Sequence, residues 1–169
     1  SKMKQRKILI AEDVRNVSVD IHHTLEELGY EVLKIVGTGE EAIRSVEQEP
    51  PDLVLMDTVL NGELSGIEAA TMIADLHRIP VVFLTGSIPG DIIRDMVASE
   101  AYGLVIKPFK PETLKEGIEI AMNKHHVPGK AVSRHQGTLF VRAGYRHNRV
   151  DFDKILYVEA LKDYVVIHM

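Results

Sequence analysis

The sequence predicts an α/β fold built on a five-stranded parallel sheet, and three observations carry that prediction. Five short apolar runs (KILIAED, EVLKIV, PDLVLMD, IPVVFLTG and GLVIKPF) recur between residues 7 and 109, separated by stretches with helical periodicity. Most of these runs are continuously apolar rather than alternating, which is how strands covered on both faces read. Four of them finish on chemically useful groups: Glu12 and Asp13, Asp57, Thr85, and Lys107. In an open parallel sheet the carboxyl ends of the strands line one crevice, and ligands sit there.

The first run follows a basic start, SKMKQRKILIAED, which has the outline of a signal peptide. Its apolar part is very short and ends on two acids, so it reads as a strand. Ser1 and Lys2 ahead of Met3 read as additions. A helix follows, with Val17, Ile21, Leu25 and Leu28 on one face and Gly29 as its stop. EVLKIV is more amphipathic than the other runs, as an edge strand would be. Thr38 with Glu41 has capping-box spacing and opens the second helix; Ser65 with Glu68 opens the third. Between them PDLVLMD, the most apolar run, ends on Asp57. The fourth run ends at Thr85, before Gly86 and Ser87. Pro89 and Pro111 each suit the first turn of a helix, and the last helix presents Leu114, Ile118 and Met122. Tyr102 opens the fifth strand.

After His125 the pattern breaks. HHVPGKAVSRHQG is polar with proline and glycine, and residues 126–137 read as a linker. TLFVR, KILYVEA and YVVIHM are β-like with no helix between them, so residues 138–169 read as a short β-rich fragment. The chain stops at Met169 inside an apolar run, and the expectation is a truncated domain. A fragment this short buries little core alone; it is expected to pack on the first domain or to pair with another chain.

Composition narrows the function classes. The chain has 169 residues, is 45% hydrophobic and has no cysteine. Thiolate metal sites and cysteine nucleophiles are therefore excluded, and the composition fits a reducing, cytoplasmic setting. No apolar stretch approaches the roughly 20 residues that cross a bilayer, so no membrane partner is expected. The net charge of −5 divides into −8 through His125 and +3 beyond it. An acidic body repels nucleic acid, whereas a mildly basic tail permits it.

Asp57 is the central candidate. A lone aspartate after a strand is usually a loop cap, but here Glu12 and Asp13 are expected to converge on it. Three carboxylates in one crevice repel one another unless a cation joins them. Mg²⁺ suits carboxylate oxygens and reaches for phosphate oxygens; Asp57 could then attack a phosphoryl donor as a carboxylate nucleophile. Against this, Asp13 taken alone reads as the N-cap of a helix starting near Val14. Lys107, before Pro108 and Phe109, could balance the acids and bind a phosphoryl oxygen, and Pro108 can set a cis bond that aims it inward. Thr85 could donate its hydroxyl to the same group, though taken singly it reads as a turn cap. Tyr102, paired with Thr85 on the neighbouring strand, could report occupancy by changing rotamer. His22–His23 and His125–His126 are helical neighbours expected to diverge, and no HExxH, P-loop, GxGxxG or GxSxG pattern is present.

Taken together, Glu12–Asp13, Asp57, Thr85–Gly86 and Lys107–Pro108–Phe109 make residues 5–125 resemble the receiver domain of two-component response regulators. The resemblance implies a flavodoxin-like, doubly wound sheet of order 2-1-3-4-5. It further implies that Asp57 accepts a phosphoryl group from a histidine kinase. Glu12, Asp13, Asp57 and the backbone carbonyl of Val59 would hold Mg²⁺; Thr85 and Lys107 would bind phosphoryl oxygens; Tyr102 would be the aromatic switch. Such a protein assists its own phosphorylation and dephosphorylation and is not otherwise an enzyme. One departure stands out: many receivers carry a proline a few residues after the acceptor, where this chain has Asn61–Gly62. From Thr138 the tail resembles the opening of a LytTR-type DNA-binding domain, carried by Ile155–Ala160 and Tyr164–Val166. That implies a phosphorylation-promoted homodimer whose full-length output domain binds DNA. Two rivals remain open. One is a receiver-fold interaction module that is not phosphorylated and binds no Mg²⁺. The other is a flavodoxin-like cofactor enzyme on the same topology, against which the acidic AEDVRN loop argues.

Overall fold

The computed structural model describes residues 4–86 and 103–125, together with four two-residue strands further on. Ser87, the helix expected at Pro89, Tyr102, the linker at 126–137 and most of 138–169 lie outside the described residues. Along the chain run β1 (Lys7–Ala11), α1 (Arg15–Glu27), β2 (Glu31–Val36), α2 (Gly39–Gln48), β3 (Leu53–Asp57), α3 (Gly66–His77), β4 (Val81–Thr85), β5 (Gly103–Ile106) and α4 (Pro111–His125). The sheet has the order β2-β1-β3-β4-β5 and every pairing in it is parallel. This is the doubly wound, flavodoxin-like topology.

Alternate strand residues feed two cores. On one face Leu9, Val54, Met56, Val81 and Phe83 meet Ala42, Val46, Ala70 and Ile73 of α2 and α3. On the other, Ile8, Ile10, Leu55, Val82 and Leu84 meet Ile21 and Leu25 of α1 and Leu114, Ile118 and Met122 of α4. Burial on both faces explains why β3 and β4 read as unbroken apolar runs. β2 is the partly exposed edge strand, as its amphipathic sequence predicts.

Local signals set the helix ends. Ser65 and Glu68 close a full capping box on α3. Thr38 caps α2 through the Glu41 amide, while the Glu41 carboxylate accepts from Gly37 rather than from Thr38. Pro111 is the first residue of α4. At α1 the structure decides between the two readings of Asp13. The N-cap is Val14, with no side-chain cap, and Asp13 does not serve. Glu12 Oε1 accepts the Val14 amide at 3.1 Å, and an Asp13 carboxylate oxygen lies in the cluster with Glu12 and Asp57. His22 and His23 also depart from expectation: their rings stack 6.0 Å apart at 19°, with His22 leaning onto Glu26 at 3.1 Å. Beyond the parallel sheet, β6 (Thr138–Leu139) pairs antiparallel with β9 (Ile167–His168), and β7 (Arg142–Ala143) with β8 (Arg146–His147).

Candidate functional site

The sheet brings the polar strand ends to one edge. β1 and β3 are neighbours, so Glu12 and Asp13, just past β1, stand beside Asp57 at the end of β3. A carboxylate oxygen from each of the three lies within 4.8 Å of the others, the one such cluster among the described residues. Lys107 reaches the same point from beyond β5, with its Nζ 2.8 Å from Asp57 Oδ2 and 3.0 Å from Glu12 Oε2. The Lys107–Pro108 bond is cis. Asp57 Oδ1 accepts the Val59 amide at 2.9 Å. Thr85 is buried at the end of β4, where its carbonyl accepts the Lys107 amide at 2.8 Å.

Glu12 and Asp57 are almost wholly buried, at 2% and 6% exposure, so their charges matter. Burial pushes the Glu12 carboxyl up to about 7; the adjacent Asp57 carboxylate adds to this, and the Lys107 ammonium and Val14 amide oppose it. Burial works against the charge on Lys107, but its hydrogen bonds to Asp57 and Glu12 outweigh that and hold its pKa above the usual lysine value. One ammonium thus faces three carboxylates, and the pocket keeps an anionic excess. All its donors are hard oxygens, clustered closely enough to share one small divalent cation. The residues present therefore fit such an ion.

Of the residues singled out from sequence, Glu12, Asp13, Asp57 and Lys107 meet in one pocket, and Thr85 joins it through the Lys107 backbone. Tyr102 lies outside the described residues. Sequence reasoning missed Glu40, whose carboxylate accepts the amides of Glu63 and Leu64 at 2.8 and 2.7 Å. A bond to backbone leaves no residue-type signature at either end. It also missed Gly66, where a Cβ would stand 1.8 Å from the Asp57 carbonyl oxygen. A glycine just inside a capping box was the available signal.

Comparison with known proteins agrees with this geometry. The family model "Response regulator receiver domain" matches residues 8–119. The transcriptional regulatory protein PdtaR of Mycobacterium tuberculosis is 35% identical over 119 residues, covering 70% of this chain and 58% of the relative. The transcriptional regulatory protein YvrH of Bacillus subtilis is 30% identical over 122 residues, with 51% of its length covered. The chain thus spans between half and three fifths of the length of these curated relatives. Among solved structures, the receiver domain of a modulated diguanylate cyclase from Desulfovibrio desulfuricans superposes with a TM-score of 0.69 at 34% identity, covering 72% of this chain and 97% of that one. The receiver domain of a Pseudomonas aeruginosa sensor histidine kinase, described with magnesium coordinated in its active-site cleft, gives 0.64 at 28% identity, covering 71% and 99%.

Proposed function

The chain belongs to the response regulator receiver family, and from that premise we propose that it is a phosphorylation switch with Asp57 as the acceptor. The observation that supports this reading is the convergence of Asp57 with Glu12, Asp13 and Lys107 at one strand edge. In the transfer, an Asp57 carboxylate oxygen attacks the phosphorus of a phosphohistidine on a histidine kinase. The new bond is O–P; the P–N bond breaks, and its electron pair returns to the imidazole, which takes up a proton. Little covalent chemistry falls to the protein, so positioning and charge neutralisation supply most of the acceleration. Glu12, Asp13, Asp57 and the Val59 carbonyl would hold Mg²⁺, which neutralises charge on the phosphoryl oxygens when bound. The Lys107 ammonium pairs with a phosphoryl oxygen once Asp57 carries the acyl phosphate, and the Thr85 hydroxyl donates to another.

On this reading Thr85 and Tyr102 carry the change outward to the neighbouring surface. Coupling of about 1–3 kcal/mol is typical of such switches, enough to bias homodimerisation without altering the fold. Residues 5–125 form the receiver, 126–137 the linker, and 138–169 the start of a LytTR-type output domain through which the full-length protein binds DNA in the cytoplasm.

The test is mass spectrometry after treatment with acetyl phosphate and Mg²⁺, with Asp57→Asn alongside and light scattering on both. One added phosphoryl group on the wild type and none on D57N is the expected result. Labelling of D57N at the wild-type level would refute the acceptor assignment. A calorimetric titration without measurable Mg²⁺ binding would favour an unphosphorylated interaction module.

A further inference from the structure

We infer that Glu40 is a positioning residue for phosphoryl transfer at Asp57, acting through the loop that joins β3 to α3. The inference rests on the acceptor reading above. Residues 58–65 lead from Asp57 to the cap of α3 and include Val59, whose amide donates to Asp57 Oδ1 at 2.9 Å. Residues 58–65 contain no proline and carry Asn61–Gly62, so nothing in the loop's own covalent structure fixes its shape.

Three contacts from the first turn of α2 supply that constraint. Glu40 Oε1 accepts the consecutive amides of Glu63 and Leu64 at 2.8 and 2.7 Å. Successive amides aimed at one anion form a cradle for negative charge, and charge-assisted bonds of this kind are about twice as strong as neutral ones. Thr38 pairs with Asn61 in an isolated parallel bridge. Gly62 has φ +107°, a conformation that favours glycine, and a Cβ there would stand 2.6 Å from Glu40 Oε2, so an added methyl would displace the tethered carboxylate. Backbone hydrogen bonds, from its own amide and then from Leu64, hold the Glu40 carboxyl below the usual range. It therefore stays ionised, and the tether stays charged, at neutral pH. Only residues 58–62 separate the tethered amides from the acceptor. Slack in that loop moves the Val59 backbone relative to Asp57, and displacements near 1 Å at a reacting centre cost up to about a hundredfold in rate.

The experiment compares Glu40→Ala, Glu40→Gln, Gly62→Ala and the E40A/G62A double variant with the wild type. Three quantities are read: acetyl phosphate labelling rate per folded molecule, Mg²⁺ affinity, and amide hydrogen exchange at Glu63 and Leu64 without Mg²⁺. E40A is expected to label about tenfold more slowly, to bind Mg²⁺ more weakly and to exchange faster at both amides. E40Q keeps an acceptor oxygen and is expected to recover most of the rate. G62A is expected to slow labelling, and to do so less when Glu40 is already alanine, because the clash with Oε2 has gone. E40A labelling at the wild-type rate, or E40Q as slow as E40A, overturns the assignment. If the wild type itself takes no phosphoryl group at Asp57, the acceptor reading fails and the Glu40 inference with it. If the wild type labels and E40A labels as fast, only the Glu40 inference falls.

Discussion

Gly66→Ala sets two effects of opposite sign against each other. Helix propensity alone favours alanine by up to about 1 kcal/mol. Sterically, the new Cβ would lie 1.8 Å from the Asp57 carbonyl oxygen, 2.9 Å from its carbon and 3.2 Å from Thr58 Cα. Ordinary contact requires a retreat of roughly 1.5 Å, far more than a packed interior absorbs. The carbonyl cannot yield cheaply, because Asp57 ends the central strand, in register with Leu84, and the Thr58 amide donates to the Leu84 carbonyl at 3.1 Å. α3 must move instead, which strains Ser65 and the loop before it. Overpacking of this kind costs about 1–3 kcal/mol, and the backbone partner places it near the top of that range. The net expectation is a loss of about 2 kcal/mol, or a thermal midpoint lower by roughly 5–10 °C. Urea and thermal unfolding followed by circular dichroism measure it. A midpoint equal to or above the wild type's would show that α3 does not press on Asp57, and the reasoning would fail.

Two further predictions concern charge. Lys107→Met removes the ammonium that sits on Glu12 and Asp57 and competes there with a cation. Its loss also raises the Glu12 carboxyl further, so the comparison is made at about pH 9; there Mg²⁺ should bind roughly five- to tenfold more tightly while acetyl phosphate labelling slows, and weaker binding by calorimetry would contradict this. Tyr30 donates to Glu119 on α4; burial first, then that bond and the Glu119 charge, holds the phenol well above the usual tyrosine range. The folded state therefore keeps its proton where the unfolded chain releases it, so stability falls as pH rises past about 10. Tyr30→Phe should flatten that decline in urea midpoints between about pH 9.5 and 11, and an unchanged slope would count against it.

What the sequence disclosed and what it hid have physical causes. Strands buried on both faces must be apolar throughout, so β1, β3 and β4 and their polar endings were legible, and the order of the sheet followed from the resemblance. Caps at Thr38 and Ser65 depend on residue type at fixed spacing, so they were legible too. Asp13 kept a second reading because its type suits a cap, whereas α1 is capped at Val14 without a side chain and Asp13 joins the acidic cluster. The Glu40 tether joins residues 24 apart through backbone groups, and the Tyr30–Glu119 bond spans 89; neither leaves a local pattern. The lean of His23 over His22 is likewise a rotamer choice that spacing does not encode.

Lys107 is fastened at both ends. Its amide is held by the Thr85 carbonyl at 2.8 Å, and its ammonium reaches past β4 to β3 and to the acid that follows β1. The outermost strand is thus latched to the middle of the sheet by a single side chain. On the acceptor reading, phosphorylating Asp57 would change the charge under that latch, so the grip on the far edge would answer directly to what is bonded at the centre.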